Sequence, residues 1–376
     1  MTTRRKFLRN SALGIAAVSA IPASVIASPE NSSSIKEVSK LKAGVAQEII
    51  TPKLGGLIMG YGSDKPTTMI HDELTVTALA IEYGKSKVLL ISANVCLINN
   101  ELTARLRDIC GEAAGIPAAN VILGVTHTHS GPNLTGEYCD EIFVPKCVAA
   151  AKASIKDMKP VKVGVAKTES LVGINRRKLL PDDRVTLSHN PWGIYDSEMT
   201  VVSFRDEAGK PLANIVHCSA HPTAAGINTE ITRDWPGVMI DRLDQESGAI
   251  TIFFQGMQGD VGPRLSNGED KGDMKLMMEL GARAATDAVR AYKDIRVYRD
   301  EVMSVANGEI KLPHAPLMPL EEARRELAIL ESGAQARFTG SSINVVGRSA
   351  ERAGNIGIRR TSPIHRVDNK CFEKKH

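Results

Sequence analysis

His127 and His129 bracket Thr128 in the segment THTHSGP (126–132). Neutral imidazole is the commonest protein ligand for zinc, so two rings this close can bind one metal together, or one can bind while its neighbour handles protons or substrate. In extended backbone, residues i and i+2 project from one face, which predicts that the two rings point the same way. Two ordinary hydrogen-bonded histidines would show the same spacing. Ser130, Gly131 and Pro132 add a tight turn that lets backbone approach a ligand closely. His221 lies in a second segment, HCSAHPTAAG (217–226), with His217 four residues earlier. That spacing imitates a helical zinc pair, but the glutamate of an H-E-x-x-H enzyme is missing and Pro222 breaks the required helix. His221 is therefore retained as a metal candidate and His217 set aside; a buried imidazole bonded to a neighbouring carbonyl stays open as the alternative. A third segment, QGMQGDVGP (255–263), carries Asp260, which reads either as a turn carboxylate accepting loop N–H bonds or as a catalytic acid.

Each of these segments follows a short apolar run: NVILGV (120–125), ANIV (213–216) and AITIFF (249–254). Runs of this length bounded by turn residues predict buried strands. Ligands gather where strand ends release the chain into loops, because rigid strands fix the loop residues while the backbone stays reachable. Three such ends predict one shared site. KVLLISANV (87–95) predicts a further strand, and residues 99–114 place Leu102, Leu106, Ile109 and Cys110 at helical spacing behind the Asn99 cap. Further helices are expected over 145–158, 234–245, 273–292 and 319–330. Strands alternating with helices predict an α/β fold. No internal repeat is present, and from about Gln335 periodicity fades into an irregular basic tail, 335–376.

Arg4, Arg5, Lys6 and Arg9 stand in the first ten residues without an acid, ahead of an apolar stretch of small residues over 12–27. A charged segment followed by an apolar one is the pattern of an export signal, and the paired arginines followed by Phe7 and Leu8 predict the twin-arginine type. Cleavage is expected after Ala27, followed by a linker over 28–40, giving a periplasmic or otherwise exported protein. Pro22 and the small residues make 12–27 a poor spanning helix, so no stable membrane span is expected in the mature form. Lysine and arginine number 47 against 43 acids, an excess equal to the four basic residues of the signal. The mature chain is then close to neutral, which argues against a nucleic-acid partner. Six cysteines show no C-x-x-C spacing; a Cys139–Cys147 bridge is conceivable in an oxidising compartment, with ordinary small apolar roles as the alternative.

THTHSGP, INRR (174–177), AHPTAAG (220–226), DWPG (234–237) and QGMQGDVGP occur in the order seen in the neutral, non-lysosomal ceramidases, and AGVAQEIITP (43–52), GYG (60–62) and IHDELTVTALAI (70–81) extend the likeness. Over roughly 43–292 the chain resembles that family. The resemblance implies mixed β-sheets sandwiched by α-helices, and a zinc-dependent amidohydrolase acting on a small-molecule or lipid N-acyl substrate, as in ceramide cleavage to sphingosine and fatty acid. It implies zinc ligation by His127 and His221, an active-site role for His129 in moving a proton, and substrate contact by Arg176. It also implies that Gly262, Asp260 and Asp234 line the site, with Gly262 standing where the family carries serine. The family's further zinc ligands, a glutamate and a tyrosine, have no counterpart before His376. The expectation is thus a catalytic domain over 41–334, shortened relative to the family. An inactive remnant or binding protein and a metal-dependent esterase are the alternatives on the same scaffold.

Overall fold

The run TVTALAIEY cannot lie at a surface, because Val76, Ala78, Leu79 and Ala80 are all fully buried and adjacent strand residues face opposite ways. It forms β2 (Thr75–Tyr83), between β1 (Lys42–Ile49) and β3 (Ser86–Ala93). The computed structural model describes residues 39–61, 65–182, 184–311 and 319–331. The expected signal over 1–27, most of the linker and the 335–376 tail lie outside the described residues.

The remaining long strands are β4 (Val121–Val125), β5 (Lys159–Glu169), β6 (Glu198–Asp206), β7 (Pro211–Cys218) and β8 (Ile250–Gln255). They complete an eight-stranded mixed sheet of order β8-β7-β6-β5-β1-β2-β3-β4. β3 with β4 and β7 with β8 are parallel; the other neighbours are antiparallel. Parallel neighbours need a crossover. Helix α1 (Asn100–Ala114) lies between β3 and β4, and helix α3 (Asp234–Ser247) between β7 and β8.

Between β1 and β5 only two residue pairs are in register, Lys42 with Pro160 and Ala43 with Lys159. There the sheet folds back on itself, so that Leu79, Ile81 and Val88 from one half meet Phe204, Ala213 and Ile252 from the other in one apolar layer. The outer face of the β1–β4 half packs Val76, Ala78, Leu89 and Ile91 against α1 and against α2 (Val144–Lys156), through Leu106, Cys110, Ala150 and Ala151. The outer face of the other half packs Met199, Val201, Val216 and Phe253 against α3 and against α4 (Met274–Asp294). The result is helix, sheet, sheet, helix, the mixed sheets between helices that the family likeness implied. A last helix, α5, covers Leu320–Glu331.

The expected helices form within a few residues of their expected ends. Asn99 Oδ1 accepts the Leu102 N–H at 2.8 Å, and Asp273 Oδ1 accepts the Leu276 N–H at 2.8 Å. Both satisfy amides that a first helical turn leaves open. Among the described residues no helix is long and apolar enough to cross a membrane. Cys139 and Cys147 are buried and free, as are Cys96, Cys110 and Cys218, so the bridge entertained from sequence is not formed.

Candidate metal centre

The chain leaves β4 at Thr126, whose N–H donates to Ala93 O at 2.9 Å, and the His127 N–H donates to Val95 O at 3.0 Å. His127 then takes a left-handed backbone, φ 67°. Extended geometry therefore does not set the His127–His129 pair; a turn at the first histidine does. Thr128 Oγ1 donates to Thr232 O at 2.7 Å and the His129 N–H to Pro222 O at 3.3 Å, which ties this loop to the one after β7. In that second loop His221 donates its N–H to Val261 O at 3.0 Å, while its carbonyl accepts from Thr223 N at 2.9 Å and Trp235 Nε1 at 3.3 Å.

The three rings converge. His127 Nε2 lies 3.1 Å from His221 Nε2 and 3.2 Å from His129 Nε2. Two nitrogens each about 2.0–2.1 Å from one tetrahedral zinc stand roughly 3.3 Å apart, so these donors fit a shared ion. A metal-binding histidine normally anchors its other ring nitrogen on an acceptor. His127 Nδ1 has Cys96 O at 2.5 Å and His221 Nδ1 has Gln258 O at 3.1 Å. His129 Nδ1 is buried with no partner among the described residues. Its ring packs edge-on to Tyr61, with centroids 4.9 Å apart, over Gly60, where a Cβ would fall 2.6 Å from the imidazole. Burial pushes all three histidines below the ordinary imidazole value, His129 to about 3 and His221 to about 2, with the Arg176 charge adding to the effect on each. Neutral rings are the form a metal requires.

Cys96 Sγ and one ring nitrogen from each of His127 and His129 also lie within 4.8 Å of one another, a second donor group sharing His127 and His129 with the first. Burial pushes the Cys96 thiol up to about 11, so it is protonated unless a cation displaces the proton.

Arg176 follows the short strand Gly173–Asn175, which pairs antiparallel with Val261–Pro263, and its N–H donates to Asp260 O at 2.8 Å. INRR and QGMQGDVGP are thus neighbours in space. The guanidinium is buried and donates to Gly259 O from Nε (3.4 Å) and Nη2 (3.3 Å), and to Asp270 Oδ2 from Nη1 (3.3 Å). Nη2 also lies 2.9 Å from His221 Nδ1. That nitrogen cannot both accept from Arg176 and donate to Gln258 O. The tautomer that leaves Nε2 open to a metal donates to Gln258 and holds the guanidinium beside it as a charge. Three of the five guanidinium N–H donors are engaged inside the protein. Burial lowers the Arg176 pKa and raises that of Asp270, and their mutual attraction only partly offsets this.

The other expected residues separate. Asp260 is exposed and joins the site through its carbonyl. Asp234 is fully buried, with φ 58°, and its carboxylate accepts from the N–H groups of Ala224 (3.2 Å), Ala225 (2.9 Å) and Trp235 (2.7 Å), clamping the His221 loop to the start of α3. His217 is exposed on β7. Gly262 borders Arg176, and a Cβ there would lie 2.1 Å from Asp270 Oδ1. Sequence reasoning missed Cys96, Gln258 and Asp270. Cys96 stands just past the end of β3, where the strand-end rule could have flagged it.

No protein-family model matches the chain. Neutral ceramidase B of Dictyostelium discoideum is 23% identical over 239 residues, covering 55% of this chain and 33% of that protein. The crystal structure of neutral ceramidase from Pseudomonas aeruginosa superimposes with a TM-score of 0.57 at 20% identity, covering 69% of this chain and 46% of that one. A ceramidase complexed with C2 gives 0.56 at 22% identity, covering 69% and 45%. The chain therefore spans about a third of the curated relative and under half of each solved ceramidase.

Proposed function

The chain is a relative of the neutral ceramidases over part of their length and has their fold, and from that premise we propose that it is a zinc-dependent hydrolase of N-acyl amide bonds in lipids or small molecules. The observation that carries the reading is the meeting of the His127, His129 and His221 Nε2 atoms from loops after different strands.

In this reading His127 and His221 hold the ion, each with its Nδ1–H anchored on a carbonyl. Zinc, when bound, supplies Lewis acidity toward water and toward an amide carbonyl. His129, whose Nδ1 has no anchor among the described residues, is the ring assigned to move a proton, and amide cleavage needs one delivered to the departing nitrogen. Gly60 and Tyr61 hold that ring in place. Arg176 places a buried positive charge against His221 and, in this reading, contacts the substrate with its remaining N–H groups. The paired arginines at 4 and 5 support export as part of the same proposal.

Zinc content and hydrolysis of short- and long-chain N-acyl amides, measured beside matched esters, test the proposal. The expected result is near-stoichiometric zinc, lost in His127→Ala and in His221→Ala, with amide turnover falling in step. Zinc bound without turnover on any substrate would replace the hydrolase with a metal-binding scaffold; turnover confined to esters would replace the amidase with an esterase.

A further inference from the structure

We infer that Asp270 is a positioning residue for the metal centre: its carboxylate neutralises the Arg176 guanidinium lying against His221, so that a divalent cation can be held beside a buried arginine. The inference rests on the zinc reading above.

Arg176 is 7% exposed and Asp270 8%. The guanidinium stands 2.9 Å from His221 Nδ1, so one imidazole separates it from any ion on His221 Nε2. Like charges that close, in an interior that screens poorly, work against cation binding. Lys271 adds positive charge nearby, with Nζ 5.7 Å from the Tyr61 ring centre and Tyr61 against His129. Asp270 Oδ2, 3.3 Å from Arg176 Nη1, is the carboxylate in direct contact with the guanidinium.

Two further observations point to charge as its role. Asp270 Oδ1 is fully buried with no hydrogen-bond partner among the described residues, an arrangement that hydrogen bonding alone would not favour. The space it fills exists because residue 262 has no side chain: a Cβ would fall 2.1 Å from that oxygen. The backbone carbonyl of Asp270 also accepts from Thr223 Oγ1 at 3.3 Å, and the Thr223 N–H donates to His221 O, which couples the acid to the ligand loop.

Zinc affinity, measured by competition with a chromophoric chelator at fixed pH and salt, reads the effect without any substrate. Asp270→Asn should bind zinc at least about tenfold more weakly than the parent chain, the scale of loss when a supporting group behind a ligand is removed. Arg176→Met/Asp270→Asn should recover most of that loss. If Asp270→Asn fails to fold because it leaves the arginine unpaired, the Arg176→Met/Asp270→Asn double carries the test, since it removes both charges together and should bind zinc close to the parent chain. Equal affinity of the parent and Asp270→Asn chains, or a double variant about tenfold or more weaker than the parent, overturns the inference and leaves the zinc reading intact. A parent chain that binds no zinc overturns both.

Discussion

His127 pays for its place in the cluster with a left-handed backbone that side chains with a Cβ adopt uncommonly. The turn swings its Nδ1 onto Cys96 O and its Nε2 toward His221. His129 should behave differently. His129→Ala is expected to keep most of its zinc and lose turnover by about a hundredfold or more, which metal analysis and kinetics on one preparation will check. At position 262 the room is taken by Asp270 Oδ1. Gly262→Ala should therefore destabilise the fold by roughly 1–3 kcal/mol, and much less so in an Asp270→Ala background; urea denaturation of the two singles and the double gives the coupling. The histidines were legible because imidazole ahead of a Gly-Pro or Pro-Thr turn is a visible signature. Their anchors were not, since Cys96 and Gln258 act through backbone carbonyls, which every residue has. Asp270 sits in a loop of glycines and acids that reads as solvated, and only packing against Gly262 and Arg176 gives it a role.

Between elements, the strands that form βαβ units were readable and the strands that join them were not. β3, β4, β7 and β8 carry the apolar runs predicted from sequence. β5 and β6 escaped because their buried positions are interrupted by Lys162, Lys167, Glu198 and Arg205, so neither shows a continuous apolar run. Charged residues are tolerated on β5 because beyond Val161 it is largely half-buried or exposed, including Val165 at 54%. Helix α3 matters most for the site, since its first residues, Asp234 and Trp235, hold the His221 loop. It packs against α4 so closely that a Cβ on Gly281 would lie 2.5 Å from Val238 Cβ. Gly281→Leu should force the two helices apart and lower stability by about 1–3 kcal/mol, seen as a fall in thermal midpoint.

Across the whole molecule, one buried acid and one half-buried acid set a pH dependence separate from the histidines. Burial pushes Asp244 and Asp234 up to about 6, above the ordinary carboxylate value of 3.8. Between those values the folded chain holds protons that the unfolded chain has released, so this contribution to stability is full below about pH 4 and is lost as pH rises toward 6. Asp244 Oδ1 accepts the Thr251 N–H at 2.7 Å, a bond that an amide oxygen can also accept. Asp244→Asn should therefore gain on the parent chain by roughly 1–3 kcal/mol between pH 4 and 7, read as the difference between two thermal-midpoint curves. A variant that tracks the parent across that range would refute the assignment.

The bend between β1 and β5 has a mechanical consequence. His127 follows a strand on one side of that crease and His221 a strand on the other, while the backbone ladder across the crease is two residue pairs long. An ion gripped by both imidazoles would act as a clasp on a hinged book, and its free energy of binding would be shared by both covers. Scanning calorimetry with and without chelator should then show the whole melting peak shift together, by an amount that grows with free zinc.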